Sequence, residues 1–343
     1  MKCTNKGYRN RRRRRRRRKS GLKIFLAVLC AAAVICSGGA GIYLWLDPVS
    51  GRITSYAKEN YDKDLYQGSF FAQDLCVAAN DVQLEGFEDE ETLHAAGLFN
   101  IDSSSVTYGY HLYDRLYPAS TTKVMTAYVA LKYGNLDDVV TVSEHATDFN
   151  WDEVTAGLRP GDQVTLYDLL CGLLLRSGND CGTAIAEHIS GSEEAFVELM
   201  NTEAQNLGAT GTHFVNPHGL HDEDHYTTAY DLYLIFNASI KNETFMEIIS
   251  MESYTGTLTG ADGTTRTETW TASNYYSNGN VQAPDGVRVF GGKTGTTDQA
   301  GNCVILYSTD MEEHPYISVI MGAKDKNFLY QEMNRLFTAG ISG

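Results

Sequence analysis

Ser120 and Lys123 stand three residues apart in LYPASTTKVMTAYVALK (116–132), a stretch that combines a nucleophile and a base with an apolar scaffold. Val124, Ala127, Tyr128 and Leu131 recur at helical spacing, which predicts a buried helix whose first turn carries both side chains. Residues three apart on a helix share a face. A lysine amine kept neutral by its neighbours can take the hydroxyl proton and leave an alkoxide-like nucleophile. Ser120 also falls at the positive end of the helix dipole, where its backbone N–H can face an oxyanion. The same spacing occurs at Ser20–Lys23 and Ser55–Lys58, so taken alone it equally describes a helix cap beside a solvated lysine.

Two further stretches carry chemistry. Ser177 and Asn179 lie in Arg176-Ser177-Gly178-Asn179-Asp180, a polar break between two apolar runs. In a tight turn their hydroxyl and carboxamide can share one cleft, as a proton relay and as an amide that orients substrate and lysine; a plain capping turn uses the same residues. In VRVFGGKTGTT (287–297), followed by NCVILYS and YISVIMGA, two apolar strands flank Lys293-Thr294-Gly295. Lys293 and Thr294 on a strand edge can bind a carboxylate, and the adjacent glycines leave room for a substrate backbone. An ordinary hairpin with a surface lysine is the alternative. His218, His221 and His225 with Asp222, Glu223 and Asp224 most resemble metal ligands, but turn residues surround them, and a solvated acidic loop is expected instead. The expected chemistry needs no metal and no cofactor.

These residues need elements to hold them. Two short strands around a turn at 102–105 lead into the Ser120 helix. Thr165 and Asp168 form a capping box that opens an apolar helix to Leu175. Ser192–Leu207 reads as an amphipathic helix stopped by Gly208, a further helix opens at Thr228 and Asp231, and 254–276 reads as hairpins. KDKNFLYQEMNRLFTAG closes the chain as a helix with Phe328, Leu329, Met333, Leu336 and Phe337 apolar.

Charge divides the chain. Residues 1–46 hold 13 of the 28 Lys and Arg and no acid, leaving 15 basic against 43 acidic residues, a net of −28, in the remainder. The arginine run at 11–18 alone would suit a nucleic-acid arm, but the acidic body argues against nucleic acid as a partner. Ile24–Leu46 is 23 residues without a charge, enough to cross a hydrocarbon core of roughly 30 Å. The expected order is a basic cytoplasmic tail (1–23), a transmembrane anchor (24–46), a linker (47–75) and an extracytoplasmic domain (76–343) on a cell membrane. A cleaved signal peptide is the alternative, because Gly38-Gly39-Ala40 offers small residues. Of the four cysteines in the outer domain, Cys171 and Cys303 sit in apolar runs and read as core; an oxidising exterior allows a disulfide, with pairing undetermined.

Ser-x-x-Lys, Ser-x-Asn and Lys-Thr-Gly in this order match the signature of serine penicillin-recognising enzymes. The chain resembles the D-alanyl-D-alanine carboxypeptidases, the low-molecular-mass penicillin-binding proteins, through YPASTTKVMTA, LRPGDQVTLYDLL, LLRSGNDCGTAIAEHISGS, FVNPHGL, HYTTAYDL, GGKTGTTDQAGNCV and MGAKDK. The resemblance implies an α+β fold of the serine β-lactamase/DD-peptidase type, an antiparallel sheet flanked by helices plus a helical lobe, with the cleft between them. It implies Ser120 as acyl-ester nucleophile, Lys123 as base, Ser177 as relay and Asn179 as orienting amide. Lys293 and Thr294 would bind the terminal carboxylate, and the N–H groups of Ser120 and Thr296 would form the oxyanion hole. The partners implied are peptidoglycan stem peptides, β-lactam antibiotics as covalent inhibitors, and the membrane through the N-terminal helix. Many members add a second β domain and a C-terminal anchor; here the expected anchor is N-terminal. A serine β-lactamase, a DD-endopeptidase or transpeptidase, and a non-catalytic wall-binding scaffold are the competing readings.

Overall fold

The computed structural model describes residues 74–87 and 93–342. The expected basic tail, the expected membrane span and the linker up to residue 73 lie outside the described residues. Among the described residues no helix is long and apolar enough to cross a membrane.

Two antiparallel sheets and seven α-helices make up the described part. The larger sheet contains β1 (Ala95–Asn100), β2 (Ser105–Tyr110), β7 (Arg288–Thr297), β8 (Gly301–Thr309) and β9 (Pro315–Ala323), in the order β2-β1-β9-β8-β7. The smaller one contains β3 (Val139–Thr141), β4 (Gln163–Thr165), β5 (Ser253–Thr259) and β6 (Thr265–Thr271), in sequence order. The β1–β2 turn and the β7–β8–β9 meander fall where alternation and turn residues put them, whereas the 254–276 stretch is one hairpin, β5–β6, with Tyr275 and Tyr276 beyond it.

The central strands read as continuous apolar runs because both sheet faces are covered. Cys303, Ile305, Ile317, Val319 and Met321 pack into the core shared with the helical lobe. Their neighbours Val304, Leu306, Tyr316 and Ile320 point the other way, toward the last helix. That helix, α7 (Lys326–Gly340), is capped by Asp325, whose carboxylate accepts the Phe328 N–H at 2.8 Å; Leu329, Met333, Leu336 and Phe337 are buried.

The lobe on the first face is built from α1 (Lys123–Tyr133), α2 (Leu166–Cys171), α3 (Asn179–Ser190), α4 (Glu193–Asn206), α5 (Ala229–Ser239) and α6 (Glu243–Ile249). The expected caps are present: Thr165 Oγ1 accepts the Asp168 N–H at 3.1 Å and Thr228 Oγ1 the Asp231 N–H at 3.0 Å. Two helix boundaries differ from expectation. Ser120 lies in a 3-10 turn (Ala119–Thr122) that precedes α1, and the helix predicted to run to Leu175 changes at Gly172 into a π-turn (Gly172–Arg176). All four cysteines of the described residues, Cys76, Cys171, Cys181 and Cys303, are buried free thiols.

Candidate active site

Lys123 opens α1, the central helix of the lobe, with its side chain turned inward and 0% exposed. Its Nζ lies 2.9 Å from Ser120 Oγ, 2.8 Å from Asn179 Oδ1 and 2.5 Å from the His218 carbonyl oxygen. Two of these three partners are carbonyl oxygens, which only accept. A neutral amine has two N–H groups for them and one lone pair left, and that lone pair faces the Ser120 hydroxyl. Burial, reinforced by the Lys293 cation, pushes the Lys123 amine well below its ordinary pKa, which favours this neutral form. The arrangement can therefore withdraw a proton from Ser120.

The second part of the site comes from the break between the π-turn and α3. Ser177 caps the π-turn in the left-handed region at φ +69°, and Asn179 starts α3 two residues on. This kink sends Asn179 to Lys123 and Ser177 to Lys293, whose Nζ donates to Ser177 Oγ at 2.9 Å and to the Thr294 carbonyl at 2.7 Å. Lys293 is also 0% exposed, and burial pushes its amine down to about 7. The neighbouring Asp180 carboxylate, raised by burial, accepts N–H groups from Ala156, Leu158 and Cys181, tying the 156–158 segment to the start of α3.

Strand β7 supplies the third part. A Cβ on Gly295 would fall 2.8 Å from Ser120 N and 2.9 Å from the Pro118 carbonyl oxygen, so the strand runs directly against the turn that carries Ser120. Gly291 would meet the Ile249 carbonyl at the end of α6 at 1.8 Å. The expectation that glycines beside the lysine make room for a substrate backbone is corrected here: Gly291 and Gly295 make room for the protein's own backbone. Thr294 Oγ1 is 2.9 Å from Ser273 Oγ, while Thr296 Oγ1 donates to Asn302 Oδ1 at 3.0 Å.

The structure thus joins Lys123 to Ser120 and Asn179, and separately Lys293 to Ser177, by hydrogen bonds, and places Thr294 and Thr296 on the strand that carries Lys293. Sequence reasoning missed two participants. The His218 carbonyl is presented by the 216–220 loop, where Asn216 Oδ1 accepts the N–H groups of His218 and Gly219 at 3.3 and 2.7 Å and its amide donates to the Leu220 carbonyl at 2.9 Å. The motif FVNPHGL was the available signal, because Asn and Gly flanking a Pro mark a fixed turn. Ser273 follows β6 with no distinguishing spacing. The three histidines separate: His218 Nε2 lies 3.8 Å from Glu193, His221 stands edge-on to Tyr117, and His225 meets Thr122. Among the described residues no three His, Cys, Asp or Glu side chains are placed to hold a metal ion.

Comparison with known proteins places this geometry. The peptidase S11 family model, described as D-alanyl-D-alanine carboxypeptidase, matches residues 87–325. The chain is 39% identical over 181 residues to DacF of Bacillus subtilis, covering 50% of this chain and 44% of DacF. To DacA of Haemophilus influenzae it is 33% identical over 274 residues, covering 78% of this chain and 66% of DacA. It therefore spans less than two thirds of the length of these curated relatives, both named D-alanyl-D-alanine carboxypeptidases. Among solved structures, the Streptomyces K15 DD-transpeptidase superposes with a TM-score of 0.68 at 28% identity, over 74% of this chain and 98% of that one. The fold is the α+β architecture of those DD-peptidases, and the chain belongs to the peptidase S11 family of D-alanyl-D-alanine carboxypeptidases.

Proposed function

We propose that this protein is a serine-type D-Ala-D-Ala carboxypeptidase that removes the terminal D-alanine from peptidoglycan stem peptides through an acyl-enzyme on Ser120. The observation that carries the reading is the Lys123 amine, buried and bound by two carbonyl acceptors, with its remaining position 2.9 Å from the Ser120 hydroxyl. Lys123 takes the Ser120 proton as Oγ attacks the penultimate D-Ala carbonyl. Negative charge then develops on that oxygen between the N–H groups of Ser120 and Thr296. Ser177, hydrogen-bonded to Lys293, relays a proton to the departing amine; Asn179 orients both lysine and substrate. Lys293 and Thr294 bind the terminal carboxylate. Water then cleaves the ester. β-Lactams, whose strained amide meets the same nucleophile, acylate Ser120 and leave slowly.

The charge-free segment 24–46 behind an arginine run supports an N-terminal membrane anchor with the site outside the cytoplasm, where wall peptides lie. A second reading is transpeptidation, favoured by the name of the Streptomyces K15 structure. The two reactions share the acyl-enzyme and differ only in whether water or an amine resolves it. A serine β-lactamase is less well supported, since it needs a carboxylate to activate the deacylating water and the sequence around Ser177 carries no ExxLN-like loop.

Mass spectrometry of a pentapeptide stem incubated with the protein tests the reading. Loss of one alanine, absent in Ser120→Ala, is expected. An added amine acceptor incorporated in preference to water would reassign the enzyme as a transpeptidase, and an unchanged pentapeptide would refute the activity.

A further inference from the structure

Ala119, the residue before the nucleophile, is a non-glycine in the left-handed region at φ +48°. That conformation costs about 1–2 kcal/mol and has to be held by its surroundings. Its carbonyl oxygen accepts from Thr122 Oγ1 at 2.8 Å. Thr122 Oγ1 in turn lies 2.8 Å from His225 Nε2. The far nitrogen of the ring, Nδ1, accepts the Val215 backbone N–H at 3.0 Å. Since an amide N–H can only donate, Nδ1 bears a lone pair and the ring proton sits on Nε2. The chain of bonds then has one direction: Val215 N–H to His225, His225 Nε2–H to Thr122, and Thr122 O–H to the Ala119 carbonyl.

We infer that His225 is a positioning residue that sets the direction of the Ser120 backbone N–H, acting through the Thr122 hydroxyl. The inference rests on the proposal that Ser120 is the nucleophile. A peptide unit is planar and trans, so the Ala119 C=O and the Ser120 N–H point in opposite directions. Pinning the carbonyl on Thr122 therefore turns the N–H to the other side, and β7 passes close to that nitrogen at Gly295. His225 can serve as a fixed post because it is itself held. Its ring is 2% exposed and edge-on to Phe214, with centroids 5.5 Å apart. Tyr226 exchanges two backbone hydrogen bonds with His213, and Thr227 exchanges two with Leu116, which stitches the His225 segment to the approach to the nucleophile. Burial also pushes the imidazole down to about 3, so the ring is neutral near pH 7, and the Val215 N–H on Nδ1 then fixes the proton on Nε2.

The role separates from simple packing in a set of variants measured with a fluorescent penicillin, with acylation rate and initial affinity resolved and the fold checked by thermal unfolding. His225→Asn keeps an acceptor for Val215 but is too short to place its N–H at the Nε2 position facing Thr122; it is expected to lose about tenfold or more in acylation rate with affinity unchanged. His225→Gln, which places an N–H near the Nε2 position, is expected to retain most of the rate. Thr122→Val is expected to match the His225→Asn loss and Thr122→Ser to restore it. The double variant His225→Asn/Thr122→Val is expected to be no slower than Thr122→Val, because both remove one chain. Wild-type acylation in Thr122→Val, or losses that multiply in the double variant, would overturn the inference. Should His225→Asn not fold, the Thr122→Val and Thr122→Ser pair decides by the same criterion. Equal labelling of wild type and Ser120→Ala overturns the nucleophile assignment and this inference with it, whereas a full rate in the folded His225→Asn protein overturns this inference alone.

Discussion

Two lysine side chains with no exposed surface lie close enough for one to act on the other's charge, and their surroundings give them different work. Lys123 spends its N–H groups on two carbonyls and is left with a lone pair on a hydroxyl; Lys293 meets a serine hydroxyl and one carbonyl and, as the ammonium, keeps a third N–H for an incoming anion. Lys123→Ala is accordingly expected to abolish acylation by penicillin while the protein remains folded, as judged by circular dichroism; wild-type acylation would remove Lys123 as the base. The cost of burying Lys293 has a pH signature. Its folded-state value of about 7 lies below the unfolded value of about 10.4, so between those limits the unfolded chain holds a proton the folded one does not. Stability contributed at this site therefore rises with pH across that window, by at most about 1.4 kcal/mol per unit. Lys293→Met, which keeps the volume and drops the charge, should be more stable than wild type at pH 6 in urea denaturation. That advantage should shrink toward pH 9; a gap that does not change with pH would show that Lys293 is not buried as a titrating group.

At the scale of elements, the site is a meeting of turns rather than of regular structure. Ser120 sits on a 3-10 turn, Ser177 on the end of a π-turn, and the carbonyl of His218 that Lys123 meets on the 216–220 loop. Gly219 joins two of these: at φ +86° its absent Cβ would overlap the Ala119 carbonyl oxygen at 1.9 Å. Gly219→Ala combines left-handed strain with that overlap and is expected to cost about 2 kcal/mol or more by denaturant unfolding, with a larger proportional loss of acylation rate. A folded, fully active variant would mean that the loop is not seated on the turn. The caps of α2 and α5 were legible because a side-chain oxygen three residues ahead of an N–H is a local event. The π-turn was not: LLCGLLL (169–175) is buried all round, so an inserted residue leaves no break in its hydrophobic pattern. The glycines of the Lys-Thr-Gly strand were assigned to substrate because sequence names a small residue without naming what approaches it.

Across the described residues as a whole, the five-stranded sheet separates two cores, one shared with the helical lobe and one under α7. Phe337 lies in the second and is 0% exposed. Phe337→Ala is expected to cost about 3–5 kcal/mol in global stability and lower the thermal midpoint, while the acylation rate of the folded protein at 25 °C stays near wild type. A rate that fell in step with stability would show the two faces of the sheet to be coupled. The sequence by itself determined the three motifs and their order, the apolar strands, the capped helices, the charge division and the family, since each is written in residue types at short separations. Tertiary structure alone decided that Lys123 and Lys293 are fully buried, that a histidine's carbonyl rather than its ring serves the first lysine, and that Gly291 and Gly295 admit the protein's own backbone. Burial and backbone acceptors depend on segments tens to more than a hundred residues apart, and no local pattern encodes which of them will come into contact.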